Sequence, residues 1–214
     1  MVYEMSEESL PRITPLLPSS WNASVHDAVS AFPAGRDFIL NNWENGEARG
    51  MNGVGAILNH PALAKAFLTF NNHVAKDNSV SKRICELLIL RVSWLRQSEY
   101  EFQQHVILGL RAGLTEQEIA MIQEGPIADG WSHSDANLLR AADELVRDAC
   151  VTKETWYELN KEFNTEQLID IVFTVGCYEV LAMAFKSFGV PFESCLEPMA
   201  PEVKARMFEA SSNR

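Results

Sequence analysis

The 214-residue chain is long enough for one large domain or two small ones, and it can bury a core without disulfides or metals. At 47% hydrophobic and 22% charged residues, with 11 Gly and 9 Pro spread along it, the composition is globular and excludes a disordered or collagenous chain. The net charge of −11, from 18 Lys and Arg against 29 Asp and Glu, would repel a polyanion; with no concentrated basic patch, no nucleic-acid partner is expected.

No run approaches the roughly 18 uninterrupted apolar residues of a membrane span, and the longest apolar runs contain Glu86, Arg91, Asp170 and Glu179. No membrane partner is expected. The first residues, MVYEMSEESLPRITPLLP, have neither a basic start nor an apolar stretch, so no signal or transit peptide is expected and the cytoplasm is the expected location. Cys85, Cys150, Cys177 and Cys195 stand 65, 27 and 18 positions apart, which fits no zinc or CxxC spacing. They read as reduced and mostly buried residues. GxGxxG, P-loop, HExxH and nucleophile-elbow patterns are absent, and neither a metal nor a cofactor is expected.

Helical periodicity with recurring caps, and almost no alternating apolar pattern, predicts an all-α chain. Residues 1 to about 20 are Pro- and Ser-rich, and short amphipathic helices are expected at about Ser24 to Phe32 and Arg36 to Asn45. Residues 1–50 therefore read as an N-terminal arm. Asn59-His60-Pro61 opens a helix ending near Val74. From Ser81 to Leu95 the next helix is apolar almost all round, as a central helix would be. Another runs from Ser98 to Ala112, where Gly113 can take the left-handed turn and Leu114 can fold back on Leu108. Thr115-Glu116-Gln117-Glu118 is a capping box, and Gly125-Pro126 to Ser132 is the clearest linker. Helices follow at about Asp135 to Ala149, Thr152 to Phe163 and Glu166 to Phe188, with Ser134, Thr152 and Thr165 as candidate caps. The last is again apolar on nearly every face. Residues 51–195 form the expected helical domain and 196–214 a mobile tail.

Chemistry concentrates in residues 86–105, ELLILRVSWLRQSEYEFQQH. On a helix from Ser98, positions 98, 101 and 105 share one stripe, so Ser98, Glu101 and His105 come within reach of one another. A carboxylate beside an imidazole holds it in one tautomer for proton transfer. Glu86 lies one helix earlier among Leu, Ile and Val, where an ionised carboxylate costs several kcal/mol unless paired. His105 is one candidate partner; Arg91 and Arg83 are others. Plainer alternatives stand beside these: Ser98-x-x-Glu101 is also a capping box, and His105 fits a satisfied core histidine. His26, His60, His73 and His133 have no partner at helical spacing, Glu179 and Asp170 repeat the puzzle of Glu86, and Tyr178 supplies a hydroxyl nearby.

The stretch from Asn59 to about Pro126, with NHPALAKAF and ELLILRVSWLRQSEYEFQQHVILGLRAGLTEQEI, resembles the carboxymuconolactone decarboxylase and alkyl hydroperoxidase D-like family; the later YEVLAMAFKSFGVPFE matches less specifically. In the peroxidase branch of that family the motif is a Glu, eleven residues, a CxxC pair, three residues and a His. Glu86, Ser98, Glu101 and His105 stand at those four positions, so both redox cysteines are replaced. The resemblance implies an alkyl hydroperoxidase D-like helical bundle assembling as a homo-oligomer: a dimer, trimer or hexamer. Peroxide reduction by a CxxC pair is not expected, because it needs a low-pKa thiolate and a resolving thiol.

The expected function is that of a cofactor-free lyase of the decarboxylase type, acting on a small unsaturated or aromatic-derived carboxylic acid or lactone. His105 is the expected proton donor, with Glu101 and Glu86 orienting it and relaying protons. Ser98 and Tyr100 are expected to hydrogen-bond the substrate, and Arg91 or Arg96 to meet its carboxylate. Alternatives are an oxidoreductase using Cys85 or Cys177, and a non-catalytic oligomer that binds a small ligand.

Overall fold

The computed structural model of the chain describes residues 10–45, 48–196 and 199–209. Among them there are helices and no strand: α1 (Ala23–Val29), α2 (Pro33–Asn42), α3 (Met51–Ile57), α4 (Pro61–Asn72), α5 (Lys82–Leu95), α6 (Glu99–Ala112), α7 (Glu116–Met121), α8 (His133–Asp148), α9 (Lys153–Glu162), α10 (Thr165–Phe188) and α11 (Pro201–Glu209). The contacts divide the chain into two compact units, residues 1–69 with 183–196 and residues 70–182 with 197–214.

In the first unit the expected arm is packed from Trp21 onward. Trp21, Val25, Val29 and Ile39 are buried in one cluster with Met51, Leu58 and Leu68, and the Trp21 indole donates to the Leu16 carbonyl at 3.0 Å. Residues 1–9, the start of the expected arm, lie outside the described residues.

In the second unit α5 is the central helix, packed against α6 and α8, with α9 against α8. Its residues from Leu87 to Trp94 are all buried, as its apolar surface requires. Gly109 lets α6 approach it: a Cβ there would meet the Leu90 side chain at 3.2 Å and the Glu86 Cβ at 3.8 Å. α6 stops where expected, with Gly113 at φ 101° and the Leu114 amide donating to the Gly109 carbonyl at 2.9 Å. The expected capping box at Thr115 and Glu118 is present.

Several elements depart from the sequence reading by short shifts. α1 is capped by Asn22 and begins at Ala23, one residue before the start expected at Ser24, and α8 is capped by Ser132, two residues before the expected Ser134. At the start of α10 Asn164 and Gln167 exchange side-chain and backbone hydrogen bonds, so Asn164 replaces Thr165 as the cap. Residues of the expected tail form α11, whose Met207 is buried; residues 210–214 lie outside the described residues.

α10 also differs from its expected all-round burial. Ile169, Phe173 and Val180 are 51%, 53% and 46% exposed, which leaves an apolar stripe open along one side. By length and composition alone this helix could cross a membrane, contrary to the sequence reading, yet half of its most apolar stretch is buried within the protein. Its acidic residues are paired as well: Asp170 with His73 and Glu179 with Arg96.

Candidate active site

The second unit brings Glu86 and His105 together. Glu86 projects from α5 and His105 from α6, and His105 Nδ1 lies 2.7 Å from Glu86 Oε2 with both side chains largely buried, at 12% and 14% exposed. Of the partners open to Glu86 from sequence, the imidazole is the one realised. Arg83 instead meets Asp135 and Glu118, and Arg91 meets Asp143. With the carboxylate accepting from Nδ1–H, Nε2 is the ring nitrogen left for a reacting group.

Ser98 and Glu101 also meet, though not as a capping box. Ser98 sits at the N-cap position of α6, but its side chain makes no bond to the helix amides. Its hydroxyl instead donates to Glu101 Oε2, and both residues are buried, at 1% and 2% exposed. The residue before them, Gln97, has φ 53° and donates through its side-chain amide to the Met207 carbonyl at 3.0 Å.

α10 adds Tyr178. Its ring lies edge-on to the His105 imidazole, with centroids 4.9 Å apart and planes at 88°. Burial first, then the neighbouring Glu86, Cys177, Glu101 and Cys85, push the phenol pKa well above the ordinary tyrosine value. The sequence supplied this hydroxyl only as a neighbour of Glu179, because position 178 is remote from 86 and 105 along the chain.

The arginines expected to meet a substrate are otherwise engaged. Arg91 is buried; its Nε and Nη2 donate to Asp143 at 2.6 and 2.9 Å, and its Nη1 to the carbonyls of Ile122 at 2.5 Å and Gln123 at 3.3 Å. Gly125, at φ 72°, is needed beside it, since a Cβ there would lie 2.3 Å from the Arg91 guanidinium. Arg96 donates through Nε to both oxygens of Glu179, at 2.7 and 2.8 Å, and through Nη2 to the Val146 carbonyl. A buried arginine needs its donors satisfied within the protein, and those of Arg91 are met by Asp143 and the carbonyls of Ile122 and Gln123. Tyr100 is buried in the first turn of α6.

Cys85 and Cys177 are buried free thiols, whereas Cys150 is exposed and Cys195 half-buried. Burial pushes the Cys85 and Cys177 pKa values up to about 11, against a lowering by Lys82 in the first case and by the Asn71 amide in the second.

Sequence reasoning missed a second histidine–carboxylate pair. His73 Nε2 lies 2.7 Å from Asp170 Oδ1, and Asp170 Oδ2 accepts from the Ser79 amide at 2.7 Å and its hydroxyl at 2.6 Å. Burial alone would raise the Asp170 pKa, but the bonds from Ser79 and His73 outweigh it and hold the carboxyl below its usual range. A wide π-type turn over His73–Asp77 carries the histidine. The partners are 97 positions apart, beyond the reach of any helical spacing rule.

Residues 61–144 match the model of the Carboxymuconolactone decarboxylase family. No curated protein sequence matches the chain. Among solved structures, the debrominase Bmp8 is 15% identical over 91% of this chain and 97% of its own, with a TM-score of 0.68. A cysteine-to-alanine variant of it in complex with 2,3,4-tribromopyrrole has a TM-score of 0.67 at 17% identity, over 96% and 98%. An uncharacterized peroxidase-related protein from Silicibacter sp. TM1040 is 16% identical over 89% and 96%, with a TM-score of 0.66. A protein of unknown function from Agrobacterium tumefaciens, proposed to be the antioxidant defence protein AhpD, is 20% identical over 63% and 92%, with a TM-score of 0.59. Segment 61–144 thus matches the carboxymuconolactone decarboxylase family, and the all-α fold is AhpD-like. That family includes enzymes, and here the chain carries Ser98 and Glu101 where the resemblance places the redox cysteines.

Proposed function

We propose that the protein is a cofactor-free acid–base enzyme of the lyase type, acting in the cytoplasm on a small unsaturated or aromatic-derived carboxylic acid or lactone. The observation that carries this reading is the largely buried pair of Glu86 and His105 at 2.7 Å. Loss of carbon dioxide leaves an electron pair on the substrate, and the imidazolium of His105, stabilised by Glu86, protonates the carbon from Nε2. Ser98 and Glu101 supply a second buried hydroxyl–carboxylate pair in the same unit, and we assign them to proton relay and substrate contact with Tyr100. Charge on a substrate carboxylate is met by His105 itself, since Arg91 and Arg96 are engaged with Asp143 and Glu179.

The competing thiol reading is disfavoured by the cysteines themselves. With pKa values of about 11, Cys85 and Cys177 hold only about one part in 10⁴ of reactive thiolate at neutral pH.

The test is a panel of unsaturated lactones, aromatic acids and small halogenated rings such as tribromopyrrole, with release of carbon dioxide and ultraviolet absorbance as readouts. His105→Ala should lower turnover at least about 100-fold with helix content unchanged, and Glu86→Gln should lower it in the same direction. Full activity of His105→Ala on the substrate found would refute the assignment.

A further inference from the structure

We infer that Tyr178 is a substrate-binding donor of this site: its phenol O–H hydrogen-bonds the substrate oxygen on which negative charge builds as the carbon–carbon bond breaks. The inference rests on the acid–base reading above and adds to it a residue from a third helix. Tyr178 stands on α10, while Glu86 and His105 stand on α5 and α6, and its ring packs edge-on against the imidazole at 4.9 Å. The side of the dyad that faces α10 is therefore occupied by this ring.

The state of the hydroxyl points to a ligand. Tyr178 is only 6% exposed, yet its oxygen is not one of the fully buried side-chain atoms left without a partner, so the hydroxyl keeps a narrow opening through which a ligand can reach it. Among the described residues it makes no hydrogen bond. Packing against His105 needs the ring alone, which phenylalanine would supply equally well. Burial and two nearby carboxylates keep the phenol protonated, so it can donate but is disfavoured as a proton source. A neutral donor fixed beside a proton-transfer dyad is suited to an oxyanion that exists only during reaction, because it then binds the transition state more tightly than the ground state.

The bond between the carboxylate carbon and its neighbour breaks, carbon dioxide leaves, and the electron pair moves through the conjugated system onto a carbonyl oxygen. Tyr178 donates a hydrogen bond to that oxygen and keeps its proton. The His105 imidazolium then protonates the carbon, the pair returns from oxygen, and the imidazole regains a proton from water.

Tyr178→Phe removes the O–H and retains the ring against His105. On the substrate found by the panel it should lower kcat about 100-fold, with KM within about threefold of wild type. Helix content and the shape of the pH profile should stay as in wild type. An unchanged kcat in Tyr178→Phe beside an inactive His105→Ala overturns the inference and leaves the acid–base reading standing; full activity in His105→Ala overturns that reading itself. A binding measurement independent of turnover uses 4-nitrophenol as a planar oxyanion probe, followed by its absorbance. Wild type should draw the spectrum toward the phenolate form, and Tyr178→Phe should bind at least about tenfold more weakly. Equal affinities, or no binding to wild type, overturn the inference.

Discussion

Replacing Arg91 by Met separates a structural arginine from a substrate-binding one. The side chain is 5% exposed, and its guanidinium donates to both oxygens of Asp143 and to the carbonyls of Ile122 and Gln123. Methionine preserves much of the volume along α5 but none of the donors. Removing one partner of a buried ion pair costs about 3–5 kcal/mol. Asp143 is 23% exposed and regains part of its hydration, which favours the lower end. The carbonyls that lose a donor beside Gly125 add about 1 kcal/mol, so the loss should be about 3–4 kcal/mol. Urea unfolding at neutral pH should show it as a lower midpoint with an unchanged slope, and thermal unfolding as a drop of roughly 10 °C. Activity per folded molecule should persist. A loss under about 1 kcal/mol, or lost turnover in a protein of wild-type stability, would refute the reasoning and return Arg91 to the substrate.

Three further outcomes are expected. Because bonds from Ser79 and His73 hold the Asp170 pKa below its unfolded value, that carboxylate contributes stability above about pH 4 that is lost as pH falls through the folded-state pKa; urea midpoints of Asp170→Asn should fall below wild type at neutral pH and converge with it in acid. Thiol titration of the native protein should modify Cys150 quickly and leave Cys85 and Cys177 until the chain is unfolded, whereas rapid native reaction of either would reopen the thiol reading. The open stripe of Ile169, Phe173 and Val180 on α10 suits a second copy of the chain: light scattering should give a multiple of the monomer mass, Phe173→Glu should lower it, and a monomer mass for wild type at every concentration would refute self-association.

What could be read from sequence was what local spacing encodes. Thr115 and Glu118 are three residues apart, and their capping box forms. Gly113 follows the last periodic residue of α6 and takes the left-handed turn. Glu86 and His105 were legible as candidates because a buried carboxylate needs a donor, and two adjacent helices joined by a short turn bring their facing stripes together. Pairs between distant helices had no such signal. His73 with Asp170, Arg96 with Glu179 and His105 with Tyr178 depend on where α10 lies against the end of α4, α5 and α6, and helix packing sets that rather than any spacing. The partners of the arginines were hidden for a related reason: proximity in sequence to a site does not show which carboxylate a five-donor head will find. Ser98 kept two readings because a capping box and a side-chain pair share one spacing, and only the side-chain orientation distinguishes them.

That last ambiguity bears on the chemistry. Ser98 could satisfy the α6 amides and stabilise the helix by about 1 kcal/mol, yet its hydroxyl is turned to Glu101. Gln97, just before it, holds a left-handed conformation that costs a non-glycine residue about 1–2 kcal/mol. Two local preferences are thus set aside in consecutive residues, two turns before His105. Such departures concentrate where a side chain is held for a purpose other than folding. By the family resemblance, 98 and 101 are the positions of two thiols that exchange electrons. A hydroxyl and a carboxylate at the same two positions can exchange only a proton. The first turn of α6 keeps the spacing of the redox pair while offering acid–base groups in its place, which is the chemistry proposed above for the Glu86 and His105 pair.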